Sequence, residues 1–186
     1  MTEPRPDPRL LTATISVLAE TGWDKITLER VAERAGRSRS TVWRQGVTLE
    51  SLLAVLLDDM ADDFRRSLWP LLNSDQTGGA RLEGGLAALC ELIDRHLPLV
   101  LASDTVFHQG DPGQRQINYL EPYRRFVREG QADGSLAKGG EAGEIAELAF
   151  NAVAWTYTHL RGRHGWAAGR ARERVVRLVM DGLSPR

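Results

Sequence analysis

This 186-residue chain has one cysteine, Cys90, set among apolar residues, so no internal disulfide can form and a reduced, buried thiol is expected. No apolar run approaches the roughly 20 residues that cross a bilayer, and the opening MTEPRPDPR is polar and proline-bearing, unlike a secretion signal. A cytoplasmic protein with no membrane partner is expected. Lysine is nearly missing, with Lys25 and Lys138 the only two, so the positive charge is almost all arginine. There is no P-loop, no CxxC pair and no HExxH, and no serine or cysteine has a base close by in sequence. The run Gly139–Gly143, GGEAG, follows no strand and so is not a dinucleotide fingerprint. Repeats, low-complexity segments and alternating strand patterns are absent too. These absences argue against an enzyme, a cofactor and a metal.

Hydrophobic residues make up 42% of the chain and charged residues 26%, enough for one or two small globular domains. The net charge is -1, so attraction to a polyanion cannot rest on bulk charge. It can rest on one segment. Between Glu33 and Glu50 there is no acid, while Arg34, Arg37, Arg39 and Arg44 give a local +4.

That segment has a plan. Thr27 is a good N-cap, Glu29 suits a first turn, and Val31, Ala32 and Ala35 form an inner face. Gly36 can take the left-handed conformation that ends a helix. Ser38 then caps a second short helix carrying Thr41, Val42, Trp43 and Arg44. Helix, glycine turn, helix is the arrangement of a DNA-binding helix-turn-helix, whose second helix enters the major groove. On that reading Arg39, Ser40 and Thr41 lie at the base edges, with Ser38 opening the helix. Arg37, Trp43 and Arg44 lie near phosphate or thymine methyls. A bidentate arginine–guanine pair is worth about 1–3 kcal/mol of discrimination, but sequence does not say which arginine reads a base and which holds phosphate. Thr27 and Thr48, at helix N-termini, can bring backbone N–H groups to phosphates. The candidate DNA-binding set is therefore Thr27, Arg37, Ser38, Arg39, Ser40, Thr41, Trp43, Arg44 and Thr48.

Leu10 to about Met60 resembles the DNA-binding domain of TetR-type bacterial transcriptional regulators. The resemblance lies in an apolar first helix ending AETGW (19–23), then ITLERVAERAG (26–36), RSRSTVWR (37–44), and a Thr48 that starts a long fourth helix with Leu52 and Leu53. It implies DNA-binding residues 1–47, a helical ligand-binding and dimerisation part 48–186, a small-molecule effector and repression of a palindromic operator. Three positions depart from the family pattern. Gly46 stands where a bulky aromatic is usual, Leu49 where a lysine contacts phosphate, and Trp43 where a tyrosine is usual. The segments TVWRQGVTLESL, SLWPLL and LPLVLASDTVFH are similar to the QsdR-type sub-branch, in which Gly46 is normal; that likeness implies a lactone or similar amphiphile as effector.

The rest of the chain reads as all-α, about nine helices in total. Asp7-Pro8 opens helix 1, with Leu11, Ile15, Leu18 and Ala19 as its stripe and Gly22 as its end. Helix 4 runs from Thr48 to Trp69-Pro70. Asn73 to Ala80 is a loop, helix 5 covers Arg81 to Leu97, and Pro98 closes it. A short apolar helix follows over Leu99–His108, then a turn over Gln109–Gly113. Helix 7 starts at Gln114 or only at Pro122 and ends near Gly130. The last two helices cover Glu141–Arg161 and Gly169–Leu183.

Aromatic and polar residues on helices 4 to 8 make a candidate ligand-binding set: Trp69, His96, Asp104, Phe107, His108, Tyr119, Tyr123, Phe126, Phe150, Asn151 and Trp155. The same aromatics would serve equally as ordinary core. Asp104 and His108 share a helical face, but no third ligand has metal-site spacing, so hydrogen bonds to a ligand's polar head are expected instead. The last two helices carry wide apolar faces, with small Ala149 and Ala152 and with Trp155 and Trp166 as anchors. The resemblance implies that they pair two copies into a homodimer, which would set two recognition helices about 34–36 Å apart or a multiple of that. The alternatives are a helical protein-interaction module or a constitutive DNA binder with no effector.

Overall fold

The computed structural model describes residues 6–103 and 118–185. Their secondary structure is entirely helical, as expected: nine α-helices, one 3₁₀ turn and no strand. The helices are α1 (Pro8–Thr21), α2 (Leu28–Arg34), α3 (Arg39–Arg44), α4 (Leu49–Leu72), α5 (Gly78–Arg95), α6 (Leu97–Ser103), α7 (Glu121–Asp133), α8 (Ala142–Gly162) and α9 (Ala168–Leu183). The 3₁₀ turn is Trp23–Lys25. The chain divides into two compact units, Met1–Ala61 with His96–Arg115, and Asp62–Arg95 with Gln116–Arg186.

In the first unit α1 packs on α2 and α6, and α2 on α3. Asp7 caps α1 by accepting the Arg9 N–H at 2.9 Å, with Pro8 in the first turn where its missing N–H matters least. The buried row of α1 is Leu10, Leu11, Ala13, Thr14, Val17 and Leu18. This corrects the expected stripe, since Ile15 and Ala19 face solvent. The reason is Thr14: its hydroxyl donates to the Leu10 carbonyl at 2.8 Å, so a polar residue sits in the core at little penalty and the apolar row runs through it. Thr48 caps α4 reciprocally with Ser51, each side-chain oxygen accepting the other's N–H at 3.1 Å.

Several expected boundaries move. Helix α4 continues through Pro70 to Leu72. Proline removes one N–H from the final turns, and the Asn73 amide donates to the Trp69 carbonyl at 2.7 Å just beyond. Helix α5 starts at Gly78, inside the expected loop, and stops at Arg95. Pro98 lies in the first turn of α6 rather than closing α5, the tolerated place for proline. Helix α7 starts at Glu121, next to Pro122, where the Asn118 carboxamide oxygen accepts the Leu120 and Glu121 N–H groups at 3.1 and 3.2 Å. The expected turn over Gln109–Gly113, and the parts of the neighbouring helices over 104–117, lie outside the described residues.

In the second unit α5, α7, α8 and α9 pack on one another. The start of α5 abuts the end of α7 through glycine: a Cβ on Gly78 would stand 2.0 Å from the Gly130 nitrogen. The first N–H groups of α5 are capped from outside the helix, Gly78 by Asp133 Oδ2 at 2.7 Å and Gly79 by Ser135 Oγ at 2.8 Å. A polar triad joins α5 to α8. Asp94 accepts from Arg161 Nε at 2.6 Å and from the Tyr157 hydroxyl. Burial first, and the Asp94 hydrogen bond second, push the Tyr157 phenol well above its ordinary pKa. Cys90 is fully buried, and burial pushes its thiol up to about 12.

Candidate functional site

Local capping fixes the geometry of α2 and α3. Thr27 Oγ1 accepts the Arg30 N–H at 3.3 Å and opens α2. At its end the Arg37 N–H reaches the Ala32 carbonyl at 2.9 Å and the Gly36 N–H reaches Glu33 at 3.0 Å, with Gly36 at φ 66°. These are the two bonds of a Schellman turn, which reverses the chain within three residues. Ser38 Oγ accepts the Thr41 N–H at 3.2 Å and opens α3. Gly46, at φ 68° with its N–H on the Trp43 carbonyl at 3.0 Å, closes it. Gly46, one of the three positions that depart from the family pattern, is thus the glycine that terminates α3.

Val42, fully buried, faces inward. The opposite side of α3 is open. Arg39 and Trp43 have 75% of their surface exposed, Arg39 counted by side chain, and Ser40 and Arg44 are exposed beside them. Ser38, Arg39, Ser40 and Trp43 line a wide, open depression. Thr41 is half-buried, its hydroxyl 2.8 Å from that of Ser38. Arg44 Nε donates to the Ser40 carbonyl at 3.3 Å.

Folding changes the electrostatics of the arginine run. Arg34 forms a two-pronged pair with Glu20 at 2.6 and 2.7 Å, Arg37 meets Asp7 at 2.7 Å, and Arg39 meets Glu29 at 3.0 Å. The Arg9 N–H and then the Arg37 guanidinium hold the Asp7 carboxyl below its ordinary range, and Arg34 does the same for Glu20. The carboxylates that meet these arginines come from the N-cap and last turn of α1 and the first turn of α2, and a charge count along residues 34–44 does not reach that far.

In the second unit the structure gathers Phe64, Phe126 and Phe150 around Tyr123, with Tyr119 against Phe64; Phe64, on α4, was not in the candidate set. The rings of Phe64 and Tyr119 lie 4.7 Å apart, Tyr123 and Phe150 5.3 Å, and Tyr123 and Phe126 6.4 Å, each edge to face. Tyr123 is fully buried and donates to the Gly85 carbonyl at 3.0 Å, and burial drives its phenol above the ordinary pKa.

This helical order matches solved structures along nearly its whole length. The chain superposes on a TetR family transcriptional regulator of Thermus thermophilus with a TM-score of 0.80 and 14% identity, covering 95% of this chain and 99% of that one. The fold is that of the TetR-type regulators. A ketosteroid transcriptional regulator of Mycobacterium tuberculosis gives a TM-score of 0.79 at 17% identity, covering 100% of this chain and 99% of that one. A fatty acid degradation regulator of Bacillus halodurans gives 0.73 at 15% identity, covering 96% of each chain. No family model and no curated protein matches the chain.

Within this TetR-type fold the remaining candidates scatter. Trp69, 68% exposed, stands on the surface of α4. Asn151 and Trp155 face outward on α8, and Asn151 donates to the Glu147 carbonyl of its own helix at 2.9 Å. His96 is half-buried and belongs to the other unit. Asp104, Phe107 and His108 lie outside the described residues. Helix α8 exposes Leu148 and Trp155, and α9 exposes Leu178. Ala149 is buried within the chain, while Ala152 faces outward. Trp166 lies under the Arg170 guanidinium, 4.4 Å from ring to cation. Among the described residues no helix is long and apolar enough to cross a membrane.

Proposed function

We propose that this protein is a TetR-type transcriptional regulator that reads double-stranded DNA with α3 and is released from its operator by a small amphiphilic effector. The observation that carries this is the outer face of α3. Arg39, Ser40, Trp43 and Arg44 are exposed together on a helix whose entry, exit and inward anchor are all fixed by local bonds and Val42. Residues 1–47 are the DNA-reading part and 48–186 the effector and dimerisation part. The aromatic cluster around Tyr123 supports an apolar-bodied effector, and a lactone with an acyl tail fits that chemistry. The ketosteroid and fatty acid degradation regulators of the same fold carry apolar molecules in their names. The exposed apolar residues of α8 and α9 support pairing of two copies there. An effector can act only through different affinities for the DNA-bound and released arrangements.

The deciding experiment titrates the purified protein onto DNA from upstream of its own gene, at two salt concentrations with excess competitor DNA. Tight binding that survives competitor and weakens with salt is expected. Acyl lactones are then screened for release. Binding no tighter than to random DNA favours a protein-interaction module. Operator binding that no bound compound weakens points to a constitutive regulator.

A further inference from the structure

The arginines of residues 34–44 carry their own counter-ions. Arg34 is held by Glu20 in the last turn of α1, Arg37 by the N-cap Asp7, and Arg39 by Glu29 in the first turn of α2. In sequence these acids are remote: thirty positions separate Asp7 from Arg37 and fourteen separate Glu20 from Arg34. Both terminal nitrogens of Arg34 are committed to Glu20. Arg37 and Arg39 each keep donors for a second acceptor, but a carboxylate within 3.0 Å of either would stand beside any phosphate that arginine engaged. Like charges that close repel strongly once water is thinned out.

We infer that Asp7, Glu20 and Glu29 are built-in competitors of DNA phosphate: each holds one arginine of the basic run 34–44 in an ion pair that DNA must displace, and together they set the strength and salt dependence of binding. The inference rests on the DNA-binding reading above. It has a definite ionic signature. An arginine that neutralises a phosphate releases a condensed cation. When that arginine leaves a carboxylate behind, the carboxylate takes a cation back, and the net release shrinks. The salt dependence of the native protein is therefore shallower than its arginines alone would give. The carboxylates of Asp7 and Glu20 are held below their ordinary titration range, so this competition is constant around neutral pH.

Ion pairs that merely staple α1, α2 and α3 together predict something else: loss of thermal stability with unchanged salt dependence. The two readings separate in the neutral isosteres Asp7→Asn, Glu20→Gln and Glu29→Gln and their triple combination. Asparagine caps a helix as well as aspartate does, so Asp7→Asn keeps α1 intact. Fluorescence anisotropy on a random-sequence duplex and on the upstream duplex, across a sodium chloride series, gives affinity and slope, with circular dichroism as the fold control. Each variant is expected to bind random duplex about two- to fivefold more tightly at low salt, the range of an exposed ion pair. Each should steepen the slope of log K against log salt by up to about 0.9. Slopes and affinities equal to the native protein overturn the inference. If Asp7→Asn or Glu20→Gln unfolds, Glu29→Gln decides alone, because both partners of that pair are at least half exposed. Native protein that binds neither duplex overturns the DNA-binding reading, and this inference with it. Native protein that binds, with variants of unaltered slope, overturns this inference only.

Discussion

Gly46 and Gly78 are both required to be glycine, for opposite reasons. Gly46 sits at φ 68° with open space where a Cβ would go, so its constraint is backbone alone. Gly78 lies in a helix, and its constraint is space, since an added Cβ would stand 2.0 Å from the Gly130 backbone. Gly46→Ala should lower stability by about 1–2 kcal/mol, the penalty of a left-handed L-residue. Gly78→Ala should lower it by about 3 kcal/mol or more, because backbone cannot yield as a flexible side chain does. Urea denaturation of both variants checks the order, and a Gly78→Ala protein as stable as Gly46→Ala would remove the close crossing of α5 and α7. The two glycines also differ in how far sequence reveals them. A glycine just after a short capped helix announces a left-handed turn, as Gly36 does, and Gly46 has the same place after α3. Gly78 reads as loop composition, since its partner Gly130 lies far along the chain. Thr14 is hidden in the same way: its hydroxyl is satisfied inside its own helix, which no hydropathy pattern records.

At the scale of elements, legibility follows the range of the forces that set each boundary. The first three helices are bounded by local caps at Asp7, Thr27, Ser38 and Gly36, and the sequence places them well. Helix α5 begins earlier than its own residues suggest because Asp133 and Ser135, at the end of α7, accept the N–H groups of Gly78 and Gly79. This makes the start of α5 sensitive to one carboxylate. Hydrogen bonds from Ser135, first, and from the Gly78 N–H hold Asp133 below its ordinary value of 3.8. A carboxyl depressed in the folded state stabilises above its unfolded pKa and loses that contribution as pH falls through the folded value. Asp133→Ala is therefore expected to lower the thermal midpoint at neutral pH and to abolish exchange protection of the Gly78 amide, whose N–H it accepts. The difference from the native protein should persist down to about pH 4 and shrink below it. A gap that stays constant to pH 2 would mean that the side chain contributes through packing rather than charge. The arginine run teaches the same point about range. Its charge was legible, and its neutralisation by carboxylates on α1 and α2 was not.

The whole molecule leaves apolar surface that its own chain does not cover. Leu148 is 72% exposed, Leu178 74% and Trp155 48%, on the two last helices. Single exposed leucines are ordinary, but large residues on both members of a packed helix pair are what a two-fold partner would bury. Two-fold pairing would also give a helix-turn-helix two reading heads for one palindrome. If α8 and α9 form that interface, the double variant Leu148→Glu, Leu178→Glu should sediment at the chain mass of 20.6 kDa, while the native protein sediments at about twice that. Because both side chains are exposed in the single chain, the variant's helical content should be unchanged. Its affinity for a palindromic duplex should fall by orders of magnitude, since one head binds without the other's effective concentration, while its affinity for a half-site stays near that of a native half. A native protein that sediments as a monomer would remove the interface altogether. A double variant that remains dimeric would move it off these two residues.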